Sequence, residues 1–238
     1  MKVIAVIPAR GGSKRIPKKN IIDFMGKPMI TWTIEAAQKS NLFDRIIIST
    51  DSPEIANIAI EHGIDVPFLR NEKSDDISSV SEATIVAIRQ AEKYYNETYD
   101  VVVQLMANAP LRDYNDIVFH YNQFIESEKY FQVSSFKFGW MNPWWAFKIK
   151  SDGTHEWMLK EGYGKRSQDL DELFCPTGVI WIANVELLKK SNTCKHCCLL
   201  VKFVLNSKIP FSNSHILKAA YDINIKFDGF FFYASNEI

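Results

Sequence analysis

The first 137 residues alternate between short apolar runs and segments with helical periodicity, and this alternation constrains the fold more than any other feature. The apolar runs cover residues 3–7, 45–50, 66–68, 99–105 and 133–137. Helical spacing of apolar residues lies between them, over 29–40, 53–62, 78–95 and 114–127. Runs that are apolar on both faces, with helices between them, indicate a parallel sheet covered on each side. We therefore predict an α/β protein with a doubly wound, mostly parallel sheet.

From residue 138 onward the pattern changes to an aromatic-rich segment. Ser151-Asp152-Gly153 is typical of a hairpin turn, and residues 178–183 predict a further strand before a short helix at 185–190. No Gly- or Ser-rich linker divides the chain, so we predict one domain over residues 1–238. Tryptophan and phenylalanine are enriched in interface cores, so the aromatic hairpin at 138–180 is interpreted as a dimerisation insert, ahead of the alternative that it packs on its own domain.

Charge and cysteine usage exclude several classes of protein. The 238 residues carry 28 Lys and Arg against 28 Asp and Glu, so general nucleic-acid binding is not expected. No apolar run is long enough for a membrane span and no secretory leader is visible, so we predict a cytoplasmic protein without a membrane partner. Cys194, Cys197 and Cys198 are interpreted as a chance cluster, because structural zinc usually takes ligands from two separated pairs and only Cys175 stands elsewhere.

A basic, glycine-containing loop follows the first apolar run. Its small and cationic residues are Arg10, Gly11, Gly12, Ser13, Lys14, Arg15, Lys18 and Lys19. Glycine lets a backbone curl and present N–H groups to an anion, and the cations add charge where a triphosphate would lie. The spacing is neither that of a Walker A loop nor that of a dinucleotide-binding fingerprint. The sequence predicts a phosphate-binding loop; the alternative is a basic surface loop after an edge strand.

Polar residues follow other predicted strands, at the edge where ligands bind in doubly wound sheets. Asp51 follows the second run and is interpreted as a helix cap. Gln104 and Asn108 follow the fourth, and a buried glutamine needs its amide satisfied by a ligand or by a neighbouring loop. Asp222 and Asn224 stand two apart, so on a strand both oxygens could reach one Mg²⁺; the alternative is a polar strand end.

Several motifs together resemble one family. Residues 7–20, IPARGGSKRIPKKN, resemble the signature of the acylneuraminate cytidylyltransferases, the CMP-sialic acid synthetases. Further matches follow in the family's order at 48–51, at Gln104 with 109–112, and at 166–170, 176–181 and 222–224. The resemblance covers about residues 1–190 and resumes near 219–234. It implies a Rossmann-like fold of the nucleotide-diphospho-sugar transferase type.

The resemblance also implies a reaction and its residues. The family transfers CMP from CTP to an acidic nine-carbon keto-sugar and releases pyrophosphate, and a cytoplasmic homodimer is expected. It implies nucleotide binding by Arg10, Gly11, Gly12, Ser13, Lys14, Lys19, Asn20 and Arg70. Gln104, Arg166 and Gln168 would face the sugar acid. Lys19, Arg10 and Asp222 would be catalytic, and Asp222 with Asn224 would hold Mg²⁺.

The sequence departs from the family's pattern at three positions. The metal pair usually reads Asp-x-Asp, and the uncharged Asn224 predicts weaker Mg²⁺ binding unless Asp228 or the phosphates compensate. Some sialic acid enzymes have a lysine where Trp145 stands and an arginine where Cys175 stands. Legionaminic and pseudaminic acid are therefore candidate substrates beside N-acylneuraminate. A cytidylyltransferase for the eight-carbon acid Kdo and a non-catalytic nucleotide-binding protein are the alternatives.

Overall fold

A computed structural model of the chain describes residues 1–13, 16–72, 79–139, 142–191 and 199–202. The strands are β1 (Val3–Pro8), β2 (Asp23–Phe24), β3 (Lys27–Pro28), β4 (Arg45–Ser49), β5 (Val101–Leu105), β6 (Phe131–Lys137), β7 (Phe147–Ile149), β8 (His155–Trp157), β9 (Phe174–Asn184) and β10 (Leu199–Lys202). The α-helices are α1 (Met29–Ser40), α2 (Pro53–Glu61), α3 (Val80–Tyr95), α4 (Tyr114–Glu126) and α5 (Val185–Ser191).

Six of the strands form one sheet in the order β10-β6-β9-β5-β1-β4. All neighbours run parallel except β9, which is antiparallel to both β5 and β6. The carboxyl ends of β1, β4, β5, β6 and β10 therefore meet at one edge of the sheet, together with the amino end of β9. The prediction of a doubly wound, mostly parallel sheet is confirmed.

The core lies on both faces of this sheet, because successive side chains of a strand point to opposite faces. Ala5 and Ile7 of β1 pack in one cluster with residues of α1, α2 and α4. Ile4 and Val6 pack in a second cluster with residues of α3 and α5. Among the described residues, no helix is both long and apolar enough to span a bilayer.

One predicted strand is absent, and another begins earlier than predicted. Residues 66–68 form no strand, because Pro67 has no N–H to give to a ladder; the segment passes the end of β4, where the Arg70 N–H donates to the carbonyl of Thr50 at 2.7 Å. Strand β9 begins at Phe174, four residues before the predicted start. An irregularity in its pairing with β6, where Gly178 has φ of +68°, separates the two halves of this strand.

Between β6 and β9, residues 142–173 form a segment rich in aromatic side chains, which we call the arm. Its hairpin pairs Phe147 with Trp157, whose rings meet edge to face at 5.7 Å, and Gly153 in the turn has φ of +82°. The predicted hairpin is therefore confirmed. Ile149 is 76% exposed and Tyr163 is 67% exposed, so the arm presents apolar side chains to solvent.

Arg112 joins three elements at the carboxyl edge of the sheet. Its guanidinium donates to Thr33 Oγ1 of α1 at 2.7 Å and to the carbonyl of Val179 in β9 at 3.1 Å. The residue is fully buried, and burial lowers the pKa of Arg112 to about 10, which still leaves it protonated at neutral pH. The bonded oxygens are neutral, so this guanidinium acts as a fork that ties α1 and β9 to the loop after β5.

Replacing Arg112 with alanine should lower the free energy of unfolding by about 3 kcal/mol, because two buried acceptors lose their donor and a cavity remains. Urea unfolding measures this change. Leu111→Ala is the matched control, since the Leu111 side chain is exposed, and it should stay within about 0.5 kcal/mol of wild type. Equal unfolding midpoints for the two variants would contradict the assignment.

Candidate active site

The basic loop lies beside the loop that follows β4. Pro8 pairs with Ser49 at the ends of β1 and β4, and the Ala9 N–H continues the ladder to the carbonyl of Ser49 at 2.9 Å. The residues after each strand, 9–13 and 50–52, therefore begin side by side. This places the predicted phosphate-binding loop at the sheet edge where ligands of doubly wound folds bind.

The peptide group between Arg10 and Gly11 is held from both sides. Its N–H donates to Oδ1 of Asp51 at 2.8 Å, and its carbonyl accepts from Nδ2 of Asn20 at 3.0 Å. Asn20, predicted to bind the nucleotide, is buried, and it donates one amide hydrogen in this contact. Two side chains that are distant in sequence thus fix the orientation of a single peptide plane.

The interpretation of Asp51 as a helix cap was wrong. The N-cap of α2 is Ser52, whose hydroxyl accepts from the N–H of Ile55 at 3.5 Å, and Pro53 occupies the first helical position. The cap stands one residue later than predicted, which frees the Asp51 carboxylate to bind Gly11. This contact joins residues 40 positions apart, and no local pattern indicates it.

The two glycines of the loop have different surroundings. A Cβ built on Gly11 would lie 2.9 Å from Cβ of Ser52, so only glycine permits the close approach of the two loops. A Cβ on Gly12 would meet nothing within 4 Å. We predicted that backbone N–H groups of this loop bind an anion. At Gly11 the anion is the protein's own Asp51 carboxylate. Ser13 closes the turn by donating its N–H to the carbonyl of Gly11 at 3.0 Å.

The cations of the loop are not equivalent. Lys18 adopts the left-handed conformation, with φ of +54°, and its Nζ pairs with Glu54 of α2 at 2.7 Å. Lys19 begins a short 3₁₀ helix, Lys19–Ile21, and is half-buried, as is Arg10. The predicted binding residue Lys14 lies outside the described residues, as does Arg15.

Arg70 approaches the same place from the segment after α2. It is 5% exposed, and Nη1 donates to Oγ of Ser49 at 3.1 Å and to the Ser49 carbonyl at 3.3 Å. Its pKa is lowered by burial, raised by Asp51 and lowered by Arg10. Asp51 and Arg10 therefore both lie within electrostatic range of Arg70. Nε of Arg70 has no hydrogen-bond partner within the described part of the chain.

Gln104 lies on β5, under α3, and is 4% exposed. Its Oε1 accepts from Thr84 Oγ1 of α3 at 2.8 Å. Among the described residues, the partner of Nε2 is the sulfur of Met106 at 3.9 Å. We predicted that a ligand or a neighbouring loop would satisfy this amide. For the amide oxygen, the partner is supplied by the neighbouring helix α3. The amide hydrogens have a weak acceptor, so the side chain retains donor capacity for a ligand.

Arg166 and Gln168, predicted to face the sugar, are exposed on the arm. The Arg166 guanidinium makes a forked contact with Asp169, with Nε to Oδ2 at 2.7 Å and Nη2 to Oδ1 at 3.1 Å. Gln168 lies in the same 3₁₀ turn. Within the described ranges, Arg166 forms its ion pair with Asp169 of its own turn and makes no hydrogen bond with the buried Gln104.

The predicted metal ligands Asp222 and Asn224 lie outside the described residues, as do Asp228 and the cysteines at 194, 197 and 198. In the part of the chain that is described, no group of three or more His, Cys, Asp or Glu residues could hold a metal ion. At the edge of β1 and β4, Arg10 and the Asp51 carboxylate both lie within electrostatic range of the buried Arg70. Two guanidiniums beside one carboxylate suit a polyanion.

Comparison with known proteins identifies relatives. A sequence model of the family described as "Cytidylyltransferase" matches residues 4–141, which is over half of the chain. A pseudaminic acid cytidylyltransferase of Campylobacter jejuni is 38% identical over 182 residues, covering 76% of this chain and 78% of that protein. An N-acylneuraminate cytidylyltransferase of Streptococcus agalactiae is 34% identical over 191 residues, covering 78% of this chain and 44% of that protein.

Solved structures agree on the fold. A CMP:2-keto-3-deoxy-manno-octonic acid synthetase solved with CTP superposes with a TM-score of 0.60 at 17% identity, covering 81% of this chain and 78% of that one. A 4-diphosphocytidyl-2C-methyl-D-erythritol synthase from Anaerococcus prevotii gives a TM-score of 0.51 at 13% identity, covering 80% and 76%. The match to the family model and the identity to the Campylobacter relative decide the assignment: this chain belongs to the cytidylyltransferase family of nucleotidyltransferases.

Proposed function

We propose that the chain transfers CMP from CTP to the anomeric hydroxyl of an acidic nine-carbon sugar, a nonulosonic acid, and releases pyrophosphate. The observation that carries the proposal is the convergence of Arg10 and Arg70 beside the fixed Arg10–Gly11 peptide, at the carboxyl edge of β1 and β4. A cationic site that is already organised suits a nucleoside triphosphate, because its charges need little rearrangement as the phosphates react.

In the proposed reaction, the sugar hydroxyl attacks the α-phosphorus in line. A bond forms between the hydroxyl oxygen and the α-phosphorus, and the hydroxyl proton passes to water. The bond from the α-phosphorus to the bridging oxygen breaks, and its electron pair leaves with pyrophosphate. Arg10 and Lys19 bind the phosphate oxygens and stabilise the charge that develops on them. Gln104 turns its amide hydrogens toward the sugar. No covalent enzyme intermediate is needed.

Mg²⁺ is part of the proposal. Asp222 and Asn224 would hold it, and it would neutralise phosphate charge beside the cations of the loop. An amide oxygen is a neutral ligand, so binding at Asn224 is weaker than at a second carboxylate. The phosphates of CTP would supply the missing negative charge, so metal binding at Asp222 and Asn224 would depend on the nucleotide.

The sugar class is proposed from the relatives. A CMP-N,N'-diacetyllegionaminic acid synthase of Legionella pneumophila is 41% identical over 113 residues, covering 47% of this chain and 48% of that protein. With the pseudaminic and N-acylneuraminate enzymes it makes three relatives named for nine-carbon acids. The synthetase for the eight-carbon acid is alike in fold alone. We therefore favour a nonulosonic acid over Kdo.

A cytoplasmic homodimer is also proposed. CTP is a cytoplasmic substrate, and the arm presents Ile149, Met158 and Tyr163 to solvent. Large apolar side chains grouped on one projecting hairpin are typical of an interface between subunits. A second copy of the chain, offering the same arm, would bury them symmetrically.

An assay of pyrophosphate release tests the function. The purified protein is incubated with CTP, Mg²⁺ and, in turn, N-acetylneuraminate, legionaminate, pseudaminate and Kdo. We expect release with at least one nine-carbon acid, and loss of release when EDTA removes the metal. Release with Kdo alone would establish the eight-carbon alternative. CTP binding without release from any sugar would establish a non-catalytic nucleotide-binding protein.

Lys19→Ala should lower turnover about 100-fold while changing the Michaelis constant for the sugar little, because the lost charge acts on the phosphates as they react. Steady-state kinetics measures both constants. Lys18→Ala is the matched control: it removes the neighbouring charge, which is exposed and already paired with Glu54, and turnover should stay within about 2-fold. Undiminished turnover in Lys19→Ala would refute the role of this lysine.

Replacing Ile149 with aspartate should turn the dimer into a monomer, since a carboxylate would be buried without a partner in the proposed interface. Light scattering after size exclusion measures the mass, which should fall from twice the 27.4 kDa chain mass to that of one chain. Tyr130→Asp, at a residue that is 59% exposed away from the arm, is the control and should stay dimeric. A monomeric wild type would overturn the dimer.

A further inference from the structure

Asp51 stands in the site without a role in the reaction proposed above. Its carboxylate accepts the Gly11 N–H at 2.8 Å, and the carbonyl of the same peptide group accepts from Asn20. The Arg10–Gly11 peptide can therefore not rotate without breaking a contact on each side. Because Arg10 carries one half of that peptide, its Cα and the start of its side chain are fixed with it.

We propose that Asp51 is a positioning residue: it holds the phosphate-binding loop in the conformation that receives CTP, and it acts as a hydrogen-bond acceptor. The proposal rests on the proposed function, because it takes the loop to bind the triphosphate. Asp51 is not assigned a contact with the nucleotide. It acts through Gly11 and Arg10.

The charge of Asp51 opposes the binding that its geometry supports. The carboxylate accepts the Gly11 N–H at 2.8 Å, and it raises the pKa of Arg70 against the effects of burial and of Arg10, so it lies within electrostatic range of the Arg70 guanidinium. A negative charge beside the loop also repels an incoming triphosphate. The acceptor oxygen helps nucleotide binding and the charge hinders it, and the two contributions can be separated by mutation because asparagine keeps the oxygen and loses the charge.

The glycine at position 11 supports the same assignment. The Asp51–Ser52 turn comes so close that a Cβ on Gly11 would lie 2.9 Å from Cβ of Ser52 and 3.4 Å from its Oγ. Removing the Ser52 side chain removes both of these atoms. Alanine at position 11 should therefore push the two loops apart and break the contact from Gly11 to Asp51. It should be accommodated only when position 52 is glycine.

The first experiment compares Asp51→Ala with Asp51→Asn by calorimetric titration with CTP and Mg²⁺, without sugar. Asp51→Ala should weaken CTP binding about 10-fold, since the loop loses one of the two contacts that orient its peptide. Asp51→Asn should bind CTP at least as tightly as wild type. Ser52→Ala is the control: it removes the cap of α2 and lowers the melting temperature, but leaves CTP affinity unchanged.

The second experiment tests the contact without changing Asp51. Gly11→Ala should weaken CTP binding at least as much as Asp51→Ala, and Gly11→Ala combined with Ser52→Gly should recover most of the loss. Ser52→Gly alone should bind CTP as wild type does. Recovery in the double variant distinguishes a restored loop approach from a general loss of stability, which a second substitution would deepen.

Three results would overturn the inference. Wild-type CTP affinity in Asp51→Ala would show that the contact orients nothing. Equal weakening in Asp51→Asn and Asp51→Ala would show that the charge, and not the acceptor, matters. Equal weakening in Ser52→Ala would show that the start of α2 acts as a whole. If wild-type protein fails to bind CTP, the proposed function falls as well; if wild type binds and the Asp51 variants do not differ from it, only this inference falls.

Discussion

Burial of β1 on both faces organises the rest of the structure. Ile4 and Ile7 are completely buried on opposite sides of the sheet, so helices must cover both sides and neighbouring strands must satisfy both edges. Parallel pairing with β4 then brings Pro8 opposite Ser49. The two loops that follow are neighbours from their first residues. The location of the predicted phosphate-binding loop is a consequence of strand burial, whereas the prediction that it binds phosphates rests on its composition.

Two buried arginines show how the fold divides its charge between structure and site. Arg112 donates to the neutral oxygens of Thr33 and Val179, deep between elements, where it joins them. Arg70 also donates to neutral oxygens, both on Ser49, but it lies at the open edge beside Arg10. Neither oxygen carries a charge, so the positive charge of Arg70 is offset by the nearby Asp51 carboxylate and not by its hydrogen-bond acceptors. The desolvation of this guanidinium is a cost to the fold, and it places a positive charge beside the predicted phosphate-binding loop.

Much of the fold follows from periodicity, and the failures have local causes. The helices α1 and α4 and the strands β1 and β4 lie close to their predicted positions, since each carries a strong apolar pattern. The predicted strand at 66–68 failed at Pro67. The early start of β9 lies beyond an irregularity at Gly178, where polar contacts between Ser134 and Thr177 replace regular pairing, and no alternation of apolar residues marks it.

The site was less predictable than the fold, because its contacts are long-range. The composition of the basic loop pointed to phosphates, yet the partners that orient it, Asn20 and Asp51, are defined only by the folded chain. Arg112 was identified as part of a family motif but not as a buried fork, since an isolated arginine is exposed by default. A possible signal was its position directly after the break of a buried strand, where backbone carbonyls need donors.

Two positions at which this chain departs from some sialic acid enzymes, Trp145 and Cys175, lie in the second half of the chain. Cys175 pairs with Phe136 at the carboxyl end of β6, and therefore lies at the same sheet edge as the basic loop, whereas Trp145 lies on the arm. The resemblance places cations at both positions in some sialic acid enzymes, and this chain has none there. The guanidinium of Arg166 is already paired with Asp169. Selection among nonulosonic acids at these positions must then depend on shape and hydrogen bonding, because a neutral side chain cannot distinguish acids by their common charge.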